Sequence, residues 1–196
     1  MCLASGNITG MSWVSHKIAA KRLQILKELL PGLSRAAFLW DPNNSNNALL
    51  LQETETAGRK LAIQIQSVEV RKQADFADAF QVLADQHFGA LIVADAILTF
   101  LRMREIVEFA SANKLPTMNP FREFTEAGGL ISYGANVKDM IRRTARYVDK
   151  ILRGANPADM PIEQPTHFDM VINLKTAKAL GITAPQSLLL RAQVIE

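Results

Sequence analysis

Two unbroken apolar runs, Ala36-Ala37-Phe38-Leu39-Trp40 and Gly89-Ala90-Leu91-Ile92-Val93, constrain the fold of this chain more than any other feature. A strand with one face in water alternates apolar and polar residues. A run without alternation, bounded by turn formers, has to be covered on both faces, as in a parallel sheet flanked by helices. The segments between these runs supply the covering helices. Ala19, Leu23, Leu26 and Leu30 fall on one face of a helix from about Ile18 to Leu30, which Pro31-Gly32 ends. Leu50, Thr54, Ala57 and Leu61 mark a second helix over about Ala48 to Leu61, and Phe76, Phe80 and Leu83 a third. Met103, Val107 and Ala110 mark a fourth between Leu98 and Asn113. Ile63 to Val70 alternates as a strand, and Leu115 to Met118 is a short strand that tolerates proline near its start. Strands alternating with helices of this length predict right-handed crossovers and one parallel α/β lobe from Trp13 to about Met118.

The remainder of the chain has a different character. Gly128 to Gly134 reads as a glycine-bracketed strand, Phe168 to Leu174 as another strand, Lys175 to Leu180 as a short helix stopped by Gly181, and Pro185 to Leu190 as one further turn. Between them Val137, Met140 or Ile141, Thr144, Val148 and Ile151 follow helical spacing up to the stop at Gly154 to Pro157. These pieces are too few for a second core. At 196 residues the chain amounts to about 1.3 domains on a prior of ~150 residues each.

Several classes of function find no support. A composition of 48% hydrophobic and 21% charged residues excludes disorder as the main state. No apolar run approaches the ~18 to 20 residues that cross a bilayer. The start, Met1 to Gly6, has neither a basic nor an apolar signal region, so read alone the chain is cytoplasmic or has lost its beginning. A single cysteine, Cys2, rules out an internal disulfide and a cysteine zinc site, and His16, His87 and His167 have no second ligand at helical spacing. No glycine loop of the phosphate-binding kind and no Gly-x-Ser-x-Gly elbow occurs, although a dispersed Ser, His and Asp set stays open on sequence alone. No cofactor, metal or catalysis is expected. Six of the basic residues lie between Lys138 and Arg153 with two acidic ones, so the net charge of +3 belongs to one helix. Pairing of Asp139 with Arg143 and Asp149 with Arg153, with no interleaved base-stacking aromatic, makes this a solvated face and not a nucleic-acid surface.

In an open parallel sheet, ligands sit at the carboxyl ends of the strands. Polar residues concentrate there: Asn43 to Asn47 after the first apolar run, Asp95 after the second, and Asn119, Phe121 and Glu123 after Met118. A helix cap or a turn is the plainer use of each cluster alone; three at one edge favour a binding cleft.

The motifs along the chain then carry a resemblance. Asn7-Ile8-Thr9-Gly10-Met11-Ser12, Lys21-Arg22-Leu23, Leu30-Pro31-Gly32, Trp40-Asp41-Pro42-Asn43, Phe121-Arg122-Glu123-Phe124, Gly128-Gly129-Leu130, Ser132-Tyr133-Gly134, Tyr147-Val148-Asp149-Lys150-Ile151-Leu152, Glu163-Gln164-Pro165-Thr166 and Val171 to Gly181 stand in order. Together, from about residue 5 to the C-terminus, they resemble the ABC transporter substrate-binding protein family of the tryptophan/tyrosine-uptake type. The resemblance implies an exported bacterial protein of two Rossmann-like α/β lobes, a type I periplasmic binding protein. Such a protein closes on a small ligand and presents it to an ABC permease in the periplasm or an equivalent extracytoplasmic space. It further implies that residues 1–12 are a hinge crossover, 13–127 a complete second lobe, and 128–196 a return segment contributing to the first lobe and hinge. The signal and the rest of the first lobe would precede Met1, and the apolar stripe of the basic helix, left without its sheet, would favour homo-oligomers.

A zwitterionic amino acid needs an anion for its ammonium, polar donors for its carboxylate and an apolar wall for an aromatic or branched side chain. Asp95 is the candidate anion; Asn44, Ser45 and Asn46 at a helix start are candidate polar contacts; Phe121 is either the wall or lobe core. Thr9, Ser12 and Tyr133 either line the cleft or cap the crossover. Two alternatives to transport remain at this level: a cytoplasmic ligand-sensing α/β domain, and a truncated product that binds nothing.

Overall fold

A computed structural model of the chain describes residues 6–13 and 15–196; the single cysteine, Cys2, and the first five residues of the expected hinge crossover lie outside them. The chain divides into two compact units, residues 1–14 with 135–168 and residues 15–134 with 169–196. The larger unit begins with a 3-10 turn at Ser15–Ile18 and continues through α1 (Ala19–Leu29), β1 (Arg35–Trp40), α2 (Ser45–Lys60), β2 (Gln64–Glu69), α3 (Asp75–Asp85) and β3 (Ala90–Val93). Next come α4 (Ile97–Leu101), α5 (Met103–Ala112), β4 (Thr117–Asn119), α6 (Arg122–Glu126) and β5 (Ile131–Ala135). The smaller unit carries α7 (Val137–Leu152), and β6 (Phe168–Asn173), α8 (Leu174–Ala179), α9 (Gln186–Leu189) and β7 (Gln193–Ile195) follow.

The strands form one sheet in the order β2-β1-β3-β4-β5-β6-β7. β1 runs parallel to both β2 and β3, β3 to β4, β4 to β5, and β6 to β7. Between β5 and β6 the direction reverses. The Asn136 amide donates to the His167 carbonyl and the Asn173 amide to the Leu130 carbonyl, so rising numbers on one strand meet falling numbers on the other.

The unbroken apolar runs do what their pattern predicts. Ala36, Phe38 and Trp40 of β1 face one layer with Leu23, Leu26, Leu50 and Ala57 of α1 and α2. Ala37 and Leu39 face the other layer with Phe76, Leu83, Ile106 and Phe124 of α3, α5 and α6. Burying both faces of β1 and β3 makes these strands the rigid floor of the larger unit.

The C-terminal segment is shared between the two units. Residues 135–168 lie in the smaller unit, whereas 128–134 and 169–196 lie in the larger one. The reason is apolar: Met170, Ile172, Ala177 and Leu188 complete the core layer over α1. The predicted helix from Leu98 to Asn113 is broken at Arg102, and α6 and β7 were not predicted. On α7 the Asp149 to Arg153 pair forms at 2.9 Å, but Arg143 turns to Glu163 and Thr166, and Asp139 lies 3.4 Å from His167. Glu163 and the Thr166 hydroxyl together give Arg143 two acceptors, one for each terminal nitrogen, where Asp139 would have been one.

α9 is tied to α1 through Glu28, which accepts from the Ser187 hydroxyl at 2.7 Å and from Arg191 at 2.9 Å. The Ser187 hydrogen bond, with smaller help from Arg191, holds the Glu28 carboxyl below its ordinary pKa. A depressed folded value stabilises above the unfolded value near ~4.3, and this contribution disappears as pH falls through the folded value. Glu28→Gln is therefore expected to cost less than about 1 kcal/mol at pH 7, and the cost should shrink as the pH is lowered below the ordinary carboxylate range, measured by urea unfolding.

Candidate functional site

The carboxyl ends of β1, β3 and β4 open onto one edge of the larger unit, and side chains knit their loops together. After β1, Asn44 caps α2, accepting from the Asn46 amide at 3.1 Å, while its Nδ2 donates to the Asp95 carbonyl at 3.3 Å. One residue thus starts a helix and holds the loop that follows β3. Asn47 is buried and donates to the Asp41 carbonyl at 3.5 Å, and Asn43 donates to the Arg71 carbonyl at 3.2 Å, so both serve the scaffold. Ser45 and Asn46 are left exposed on the first turn of α2, whose N-terminal dipole end favours a negative group.

The loop after β3 is shaped by Thr99, which sequence reasoning missed. Its buried hydroxyl donates to the Ala94 carbonyl at 2.8 Å or that of Ala96 at 3.0 Å, and accepts from the Ala96 amide at 3.3 Å. Asp95 lies inside this small ring, half-buried. The end of β4 is fixed from below by Asn119, which donates to the Val93 carbonyl at 3.4 Å and accepts from the Phe121 amide at 2.7 Å.

Phe121, half-buried, meets Phe100 edge-on with ring centroids 5.5 Å apart. Phe100 and its neighbours on α4 are unusually open for apolar residues: Phe100 is 44% exposed, Ile97 81% and Leu101 75%. An aromatic pair beside exposed aliphatic groups is an apolar wall at the same edge as Asp95. Phe100 was not singled out in the sequence. Its spacing, five residues after Asp95, was the available signal.

Tyr133 stands in the middle of β5, half-buried, and burial raises its phenol above the ordinary pKa against the opposing charges of Arg22 and Arg191. Its backbone carbonyl accepts from Arg22 Nε at 2.8 Å. Burial lowers the Arg22 guanidinium to about 10, with Asp95 and then Tyr133 pulling it back toward the charged form. Arg22 was read as part of a helix motif without a role of its own; its burial within α1 was the missing information. Immediately after Tyr133, Gly134 permits a close approach: a side chain there would place its Cβ 2.0 Å from the Pro120 carbonyl oxygen.

Six of the candidate residues, Asn44, Ser45, Asn46, Asp95, Phe121 and Tyr133, therefore belong to the larger unit and are placed by its strand ends. Thr9 and Ser12 belong to the smaller unit. There the Thr9 hydroxyl donates to the Met160 carbonyl at 3.1 Å and the Ser12 amide to the Glu163 carbonyl at 2.7 Å. Among the described residues no group of three His, Cys, Asp or Glu side chains is arranged to hold a metal ion. A separate groove of about 840 Å³ lies at the opposite edge, where Lys114, Thr117, Gly128, Asn173 and Lys175 surround the amino ends of β4 and β5.

Comparison with known proteins gives concordant matches. A family model described as ABC transporter substrate binding protein matches residues 2–195. A tyrosine-binding protein of Clostridioides difficile is 19% identical over 177 residues, 90% of this chain and 50% of that protein. A conserved domain protein from Vibrio cholerae superposes with a TM-score of 0.89 at 25% identity, over 98% of this chain and 64% of that one. The ABC domain from Streptococcus pneumoniae, solved in complex with L-Trp, superposes with a TM-score of 0.86 at 26% identity, over 98% of this chain and 66% of that one. The chain thus spans half the length of the curated relative and about two thirds of these solved chains. Its fold is that of the type I periplasmic binding proteins, with a mostly parallel seven-stranded sheet.

The double use of Asn44 is open to test. Asn44→Ala is expected to lose about 1 kcal/mol of stability in urea unfolding. Asn44→Asp, which keeps the cap acceptor but has no Nδ2 donor, should retain most of that stability while the amides of 95–97 exchange faster with solvent. Equal loss in both variants would contradict the division of labour.

Proposed function

The chain belongs to the ABC transporter substrate-binding protein family, and on that premise we propose that it is the solute-binding component of an importer, without catalysis of its own. The ligand is a small amphipathic amino acid, aromatic or branched, delivered to a permease on the extracytoplasmic side of a membrane. The observation that carries this reading is the meeting, at one sheet edge, of a carboxylate (Asp95), an exposed helix start (Ser45, Asn46) and an aromatic wall (Phe100, Phe121). These match the three parts of a zwitterion with an apolar side chain: ammonium, carboxylate and ring or branch. A tyrosine-binding relative and an L-Trp-bound neighbour favour the aromatic class.

The same reading takes the larger unit as one lobe and the smaller unit as part of another, closing on the ligand. Two facts support it. The chain spans about two thirds of its solved neighbours. In addition, α7 is amphipathic but buries only Tyr147, while Ile141 is 64% exposed, Val148 51% and Leu152 82%. An apolar stripe of this kind is a surface made to be covered.

One lobe supplies part of the contacts, so affinity in this chain alone is weak. L-Trp, L-Tyr, L-Phe and L-Leu at about 1 mM are each expected to raise the melting temperature by less than about 1 °C, since stabilisation follows RT ln(1 + [L]/Kd). A rise of several degrees with any of them would contradict the partial-site reading. Saturation-transfer NMR at millimolar ligand should still detect L-Trp and L-Tyr, lose the signal in Asp95→Asn, and find none with D-ribose; preference for the sugar would overturn the ligand class. Light scattering at high protein concentration should find dimers or larger species that Ile141→Lys with Leu152→Lys returns to monomer. A clean wild-type monomer would count against α7 as an uncovered face.

A further inference from the structure

Arg22 is the one charged residue in the core face of α1, between Ala19 and the Leu23 and Leu26 side chains, and it is only 4% exposed. Burying a guanidinium costs more than burying a hydrocarbon of equal volume, so its position calls for a task that an apolar residue could not perform. Its contacts define that task. Nε donates to the Tyr133 carbonyl at 2.8 Å, across 111 residues of sequence, and Nη1 donates to the Ser15 hydroxyl at 2.9 Å. Ser15 is the first residue of the larger unit after the chain arrives from the smaller one, and Gly134, next to Tyr133, is the last before it returns. A single planar fork therefore holds two of the three points at which the chain enters or leaves the larger unit. From the other side, the Pro120 carbonyl packs so closely on Gly134 that the end of β5 cannot shift toward it.

We propose that Arg22 is the positioning residue of the carboxyl-edge site, a buried clamp that fixes β5 at Tyr133 and the start of the unit at Ser15 as one rigid piece. Asp95 favours the charged form of the same guanidinium, which fits this placement. Among the described residues Nη2 has no hydrogen-bond partner, and the bonds to Tyr133 and Ser15 form the clamp. Lysine could not replace it, because a point ammonium cannot serve two acceptors in the fixed geometry of a fork. What the fixed groups then bind rests on the function proposed above; the clamp itself does not.

Amide hydrogen exchange on the full chain, without ligand, tests the clamp. Arg22→Met keeps the volume and removes the donors. It is expected to speed exchange about tenfold in both 131–134 and 15–18, as loss of a charged hydrogen bond would, while Leu39, Leu83 and Ile92 keep wild-type rates. Arg22→Lys should fail to restore both segments together. If Arg22→Met does not fold, Ser15→Ala serves: loss of one acceptor loosens the fork, and exchange at 131–134 should rise about threefold although the substitution is far away in sequence. Acceleration spread evenly over the core, or a Ser15→Ala effect confined to 15–18, would overturn the proposal. Since no ligand is present, failure here counts against the clamp alone, and failure of the saturation-transfer experiment against the ligand reading alone.

Discussion

Covering both faces of a parallel sheet leaves only its edges free to carry polar chemistry. In this chain β1 from Ala36 to Trp40 and the whole of β3 are apolar, with α1 and α2 pressed on one face and α3, α5 and α6 on the other. Polar side chains concentrate in the loops at the strand ends, and right-handed crossovers bring three of those loops to one edge. The site is thus a consequence of the core. Asn44, Thr99 and Asn119 convert that proximity into fixed geometry, each bonding to the backbone of β3 or the loop after it.

One charge is kept inside the apolar layer, and its cost explains its value. Arg22 is desolvated enough to pull its ionisation down to about 10, yet it is retained in the charged form by Asp95 and by two acceptors at the ends of the unit. A hydrocarbon there would pack as well but would donate neither to the Tyr133 carbonyl nor to the Ser15 hydroxyl. The second unit works in the opposite way. α7 has a strong apolar stripe and an almost wholly exposed surface, so its stability within this chain rests on Tyr147, whose hydroxyl donates to Pro161, and on the Arg143 pair with Glu163.

The fold was legible wherever the pattern was long or extreme. Ala36 to Trp40 and Gly89 to Val93 could be nothing but two-sided strands, and the helices flanking them followed from spacing. α6 and β7 were not legible. Arg122 to Glu126 is one turn long, too short for periodicity, and β7 is three residues of an edge strand with two of its side chains exposed. At the site, Asn44 and Asp95 stood out because polar residues after buried strands are conspicuous. Arg22 did not, because an arginine in a helix reads as surface until burial is known, and Phe100 did not, because an aromatic in a helix reads as core. The Asp139 to Arg143 pairing failed for a similar reason: helical spacing allowed it, but Glu163 and Thr166, brought alongside from elsewhere in the chain, offered Arg143 more.

The central claim is that ligand chemistry resides at the carboxyl edge of the larger unit. Mapping amide chemical shifts while L-tryptophan is titrated to millimolar concentration into the isotope-labelled chain tests this most directly. The account predicts that the largest changes fall at 44–46, 95–101 and 121, with nothing at the opposite edge. Changes centred on the groove around Lys114 and Lys175, or on α7, would contradict it.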